Sequence, residues 1–130
     1  MNIGQAAKQS GISSKMIRHY ESIGLLEAAQ RSASGYRLYS AQDIKTLSFL
    51  KHARDLGFSS QQMKELIGLW KNTDRHSAEV KQLTIKHIHA LNQKIKQLQE
   101  MVDFLQRSAN QCSGDEQTHC AILEDLEKGT

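Results

Sequence analysis

The sequence predicts a mainly α-helical protein. It divides into a small helix-turn-helix unit with a β wing over residues 1–75, a long helix over 76–110, and a polar loop with a short helix over 111–130. Three observations carry this reading. Apolar residues recur at the helical period, behind capping signals, through most of the first 70 positions; the period switches to two around residues 36–39; and a heptad repeat runs from Ile88 to Leu105. Proline is absent from all 130 residues, so long unkinked helices are permitted everywhere.

Residues 3–10 read as a short helix with Ile3, Ala6 and Ala7 turned inward and Gly11 as its C-terminal stop. Ser13 or Ser14 can cap a second helix, in which Met16, Ile17, Tyr20 and Ile23 share one apolar face and Lys15, Arg18 and Ser22 lie on the other. Two short helices joined by a glycine turn, the second with a basic outward face, make a helix-turn-helix whose second helix fits a DNA major groove. From Arg31 to Tyr39 a Ser/Gly turn leads into a strand with Tyr36 and Leu38 on one face and Arg37 and Tyr39 on the other, a small hairpin or wing. Ser40 with Asp43, and Ser59 with Gln62, read as capping boxes. They open one helix through Ile44, Leu47, Leu50 and Lys51 to near Gly57, and another carrying Met63, Leu66, Ile67 and Trp70.

Neither Gly nor Pro occurs from Ser77 to Ala109, and Ile88, Leu91, Ile95, Leu98, Val102 and Leu105 are spaced three and four apart in alternation. A helix of that length extends about 50 Å, whereas a globule of about 75 residues is roughly 30 Å across. The stripe therefore overhangs its own domain, and too little chain follows residue 110 to cover it. A second copy in a symmetric homodimer is the expected cover. His87 and His89 flank this stripe. The heptads alone leave open whether the two helices run parallel or antiparallel.

Charge is unevenly placed. Residues 1–76 hold eleven Lys and Arg against six Asp and Glu, while residues 77–130 hold six against eight. The basic half calls for a polyanionic partner such as double-stranded DNA. The length excludes a large multidomain enzyme. No apolar run approaches the roughly 18 residues that span a bilayer, and the N-terminus lacks the apolar stretch of a signal peptide, so a soluble, cytoplasmic protein with no membrane partner is expected.

The two cysteines, Cys112 and Cys120, flank a polar seven-residue loop in which Gly114 permits a turn. In a reducing cytosol this placement favours metal or redox chemistry over a structural disulfide. Two thiolates without further partners suit a soft d10 ion such as Cu(I), whereas zinc normally takes four ligands. The N-terminus of the short helix after Cys120 would favour the negative charge of such a site. His119 reads as a solvated neighbour of Cys120 rather than a ligand or base, and Asp115 and Glu116 as loop solubilisers. A thiol-based redox sensor remains the alternative for this pair. A thiol enzyme built on Cys120 and His119 is disfavoured, because no substrate pocket or oxyanion device is visible.

Residues 17–26, Ile-Arg-His-Tyr-Glu-Ser-Ile-Gly-Leu-Leu, and Ser34-Gly35-Tyr36-Arg37, together with the capped helix pair, the long helix and the terminal cysteine loop, resemble MerR-type transcription regulators along essentially the whole chain. The resemblance is closest to the copper-efflux regulator (CueR-like) branch. It implies a winged helix-turn-helix DNA-binding domain, a long antiparallel coiled-coil dimerisation helix and a C-terminal metal-binding loop. It further implies a non-enzymatic homodimer that distorts an over-long promoter spacer for RNA polymerase when it binds a metal. In that family, sensors of divalent ions carry a cysteine where this chain has Ser77, so serine here implies a monovalent ion: Cu(I), with Ag(I) or Au(I) as alternatives, and a divalent-metal sensor as the competing reading. Lys81, one turn on, would help to neutralise the anionic site. For DNA the expected contacts are Lys15, Arg18, Arg31 and Arg37, with Ser14 and Arg54 as further candidates. Tyr20, Tyr36 and Tyr39 either touch phosphates or pack the small domain, packing being favoured for Tyr20.

Overall fold

A computed structural model describes residues 1–129. Two compact units are present, Met1–Val80 and the chain from Lys81 onward. The described elements are α1 (Ile3–Ser10), α2 (Ser14–Ser22), β1 (Gln30–Arg31), β2 (Arg37–Leu38), α3 (Ala41–Asp55), α4 (Ser60–Lys71), α5 (Ser77–Gln111) and α6 (Ala121–Lys128). No helix among the described residues is long and apolar enough to cross a membrane.

In the first unit each helix start is fixed by a side chain that accepts an otherwise orphaned backbone N–H. Asn2 and Gln5 form a reciprocal capping box at α1, as do Ser40 and Asp43 at α3 and Ser59 and Gln62 at α4. Ser13 caps α2 by accepting the Met16 N–H at 3.1 Å. α1 ends at Gly11, which adopts φ 74° and donates its N–H to the Ala7 carbonyl. The helices so aimed pack α1 on α2 and α3, and α3 on α4. They close a core of Ala6, Ile12, Ile17, Tyr20, Leu25, Leu26, Tyr39, Leu47, Leu50, Ala53, Met63 and Ile67. Complete burial of each large side chain there contributes about 1.5–3 kcal/mol. Trp70 stacks on Phe49 with centroids 4.4 Å apart, joining α4 to α3.

The wing is a two-stranded antiparallel hairpin with Gln30 opposite Leu38 and Arg31 opposite Arg37. Its turn is held by the Arg31 guanidinium donating to the Gly35 carbonyl at 2.9 Å, and Gly35 itself takes φ 84°. The chain terminus secures the base: the Met1 ammonium donates to the Tyr39 carbonyl at 3.0 Å and the Tyr39 N–H returns to the Met1 carbonyl at 2.7 Å.

α5 runs unbroken for 35 residues, of which those from Lys81 onward belong to the second unit. The heptad residues Ile88, Ile95, Leu98, Val102 and Leu105 are all exposed. His87, next to the stripe in sequence, is buried, while Ile88 beside it is open. Successive helical residues lie about 100° apart, so at that level the sheltered side of α5 is turned away from the stripe. Toward its end Ser108 is buried and donates its hydroxyl to the Asp125 carboxylate, which fastens α6 to α5. An open apolar groove of about 780 Å³ lies here, with Met101, Phe104, Leu105 and Leu126 among its lining.

Gly11→Ala places a Cβ 3.0 Å from the Lys51 Cε and forces an L-residue into the left-handed region. It should destabilise the first unit by about 1 kcal/mol, mostly from backbone strain because the lysine end can move; a thermal melt that does not shift downward would contradict this.

Candidate metal centre and nucleic-acid interface

The end of α5, one loop and the start of α6 assemble the thiol pair. The Cys112 N–H continues the helix to the Ser108 carbonyl at 3.1 Å, and Cys120 occupies the N-cap of α6 with extended backbone. Between them Gly114 takes φ 68° and the Asp115 carboxylate accepts the Gln117 N–H at 2.9 Å. That bond, followed by one from the Ser113 hydroxyl, holds the Asp115 carboxyl below its ordinary value. Asp115 thus serves to shape the loop. Both cysteines are free thiols, half-buried, with their sulfurs 3.7 Å apart.

The Cys120 thiol is held below the usual cysteine range. The first cause is the Leu123 backbone N–H, followed by the Cys112 thiol and, more weakly, the Ile122 N–H, all offset in part by desolvation and the Glu124 charge. These backbone groups are the unpaired donors of a helix N-terminus, which favour a thiolate. His119 points its Nε2 to the Glu124 carboxylate at 3.1 Å and stays mostly exposed, as expected of a solvated neighbour. Among the described residues no three His, Cys, Asp or Glu side chains gather as a metal-binding group. Within one chain the two sulfurs are the soft donors that this site offers to a metal ion. Ser77 and Lys81 are exposed in the first turns of α5. From Lys81 to the thiol end of α5 the helix rises about 45 Å, so one chain does not bring Lys81 and the sulfurs together.

On the basic side, Lys15 and Arg18 are exposed on α2 as expected, Ser14 and Arg54 are half-buried, and Tyr36 stands 72% exposed at the wing tip. Two expectations need correction. Tyr20 and Tyr39, offered as phosphate contacts, are core residues at 2% and 3% exposure. Tyr20 follows the apolar face of α2, and Tyr39 is drawn in because its hydroxyl donates to the Glu21 carboxylate at 2.5 Å. Burial first, then that carboxylate, push the Tyr39 phenol well above its ordinary value, so it stays a donor. Arg31 is engaged in the wing turn. Arg37 is partly exposed, with its Nε 3.4 Å from Glu21. Glu21, which the sequence pattern does not single out, accepts the Tyr39 hydroxyl and pairs with Arg37. The available signal was a lone carboxylate inside a helix whose outward charges are otherwise basic.

A helix-turn-helix with a wing, joined to a long helix and a terminal pair of thiols, defines a DNA-binding regulator of transcription. Residues 2–39 match the family model described as MerR family regulatory protein, and residues 44–107 match the model described as MerR, DNA binding. The chain is 50% identical over 129 residues to the transcriptional regulator HmrR of Sinorhizobium medicae, covering 99% of this chain and 88% of that one. It is 41% identical over 126 residues to the regulator CueR of Escherichia coli O6:H1, covering 97% and 93%. Among solved structures, the regulator PbrR691 from Ralstonia metallidurans CH34 in complex with lead(II) superimposes with a TM-score of 0.83 at 28% identity, covering 97% of this chain and 98% of that one. The chain belongs to the MerR family of transcription regulators, which are DNA-binding proteins and not enzymes.

Peptide-resolved alkylation of the metal-free protein checks the thiol chemistry. Reactivity should climb with pH as the thiolate forms, and at Cys120 the midpoint should lie below the free-cysteine value of about 8.5. A midpoint at or above that value would remove the helix N-terminus from the account.

Proposed function

We propose that this chain is a cytoplasmic, metal-responsive activator of transcription that binds promoter DNA as a homodimer and responds to a soft monovalent ion. Cu(I) is the leading candidate, with Ag(I) and Au(I) as chemically similar occupants. The observation that carries the proposal is the donor set: the chain has only two cysteines, and they lie 3.7 Å apart at a helix N-terminus. A linear sulfur–metal–sulfur unit spans on the order of 4.6 Å, twice the zinc–sulfur distance, whereas a disulfide requires about 2 Å. The pair thus lies nearer the metal-bridged separation. Relatives named for heavy-metal dependence at 48% and 50% identity support a metal response, and the similarity to CueR supports copper.

Homodimerisation supplies what one chain lacks. An antiparallel partner covers the exposed stripe of α5 and carries its own Ser77 and Lys81 toward the opposite thiol loop. Serine there adds no third thiolate, and the lysine ammonium offsets the charge of the pair. Lys15, Arg18 and Arg37 then face the DNA, and occupancy of the thiols favours a bent, untwisted promoter that RNA polymerase can use. Because this is a coupling free energy between two sites, distorted DNA must tighten metal binding by the same factor.

Anaerobic titration of the purified protein with Cu(I), Ag(I), Au(I) and Zn(II), read by in vitro transcription, tests the assignment; a preference for zinc would overturn it. Cys112→Ser or Cys120→Ser should retain operator affinity and lose metal-dependent transcription. Ser77→Cys should gain a response to Zn(II) or Hg(II) that the unaltered protein lacks, and absence of any such gain would show that Ser77 does not set the choice of ion.

A further inference from the structure

Among the basic groups of α2 and the wing sits one nearly buried carboxylate. Glu21, in the last turn of α2, has a side chain only 11% exposed. A negative charge there repels a polyanion, and burying a carboxylate is costly unless it is paired. Both of its oxygens are engaged by the wing: Oε1 accepts the Tyr39 hydroxyl at 2.5 Å, and Oε2 lies 3.4 Å from the Arg37 Nε. Arg37 belongs to β2 and Tyr39 follows it, so a single carboxylate ties the wing to the helix expected in the major groove. The ion pair runs through Nε and leaves the two terminal nitrogens of the guanidinium fork for another acceptor, with the Arg37 side chain 31% exposed.

We infer that Glu21 is a positioning residue for DNA binding, aiming the Arg37 guanidinium at a backbone phosphate and holding the wing in register with α2. Its carboxylate orders an arginine before DNA arrives, which lowers the rotamer cost of docking that side chain. The benefit must exceed the repulsion that a carboxylate near phosphate creates. This inference rests on the wing being a DNA-contacting element, and the variants below separate the two ideas.

The experiment measures binding of a fluorescein-labelled duplex, selected by the unaltered protein from randomised DNA, across a salt series. Glu21→Gln keeps an acceptor for Tyr39 and removes the charge. It should weaken binding about 3- to 10-fold, the ordering cost of one long side chain, and flatten the logarithmic salt dependence by roughly one unit as the arginine–phosphate contact is lost. In an Arg37→Ala background the same Glu21→Gln change should cause no loss, because only the relief of repulsion remains. Tighter or unchanged binding by Glu21→Gln alone, or an equal loss in both backgrounds, overturns the inference. If Arg37→Ala itself leaves affinity untouched, the wing reading fails instead. Circular dichroism melts confirm that each variant is folded, and Glu21→Asp, which retains the charge, should bind more tightly than Glu21→Gln.

Discussion

A continuous helix of 35 residues is the element on which the proposed mechanism depends. α5 carries Ser77 at its first residue and delivers the chain to Cys112 just past its last. Neither glycine nor proline lies inside it. The same rod bears a row of apolar side chains exposed along most of its length, so the need for a partner and the means of recruiting one reside in one element. In the proposed dimer, loop and lysine meet only across the interface, and the ion site is completed by association.

The proposed ion site rests on little machinery. Nothing in the loop supplies bulk or a deep cavity; the two sulfurs are brought near by a helix end, a glycine turn, an aspartate that shapes the backbone and the Ser108–Asp125 clasp. Backbone N–H groups at the start of α6 stabilise negative charge at Cys120 without adding a competing ligand. In the proposed site selectivity would come from coordination number, since ions that need three or four donors would lose more than ions satisfied with two.

Local chemistry was readable from the chain alone, and long-range pairing was not. Ser40 with Asp43 and Ser59 with Gln62 announce helix starts because both partners lie within four residues. The stop at Gly11 and the spacing of Cys112 and Cys120 are equally short-range. Leu25 and Leu26, by contrast, follow a helix in an irregular stretch with no period, and their burial is decided by what closes over them. Tyr39 alternates with Leu38 as a strand residue would, yet which of the two turns inward depends on a carboxylate 18 residues earlier. His87 shows the limit of the heptad pattern, which marks the exposed seam of α5 without revealing what its other faces meet.

The stacked Phe49–Trp70 pair has a practical side. Trp70 is the chain's single tryptophan, so all indole emission from this protein originates in the unit that contains the helix-turn-helix. Excitation at the red edge of protein absorbance would therefore follow the environment of the α3–α4 junction without any attached dye. A spectral change on adding an ion would be an optical record that this junction responds to it.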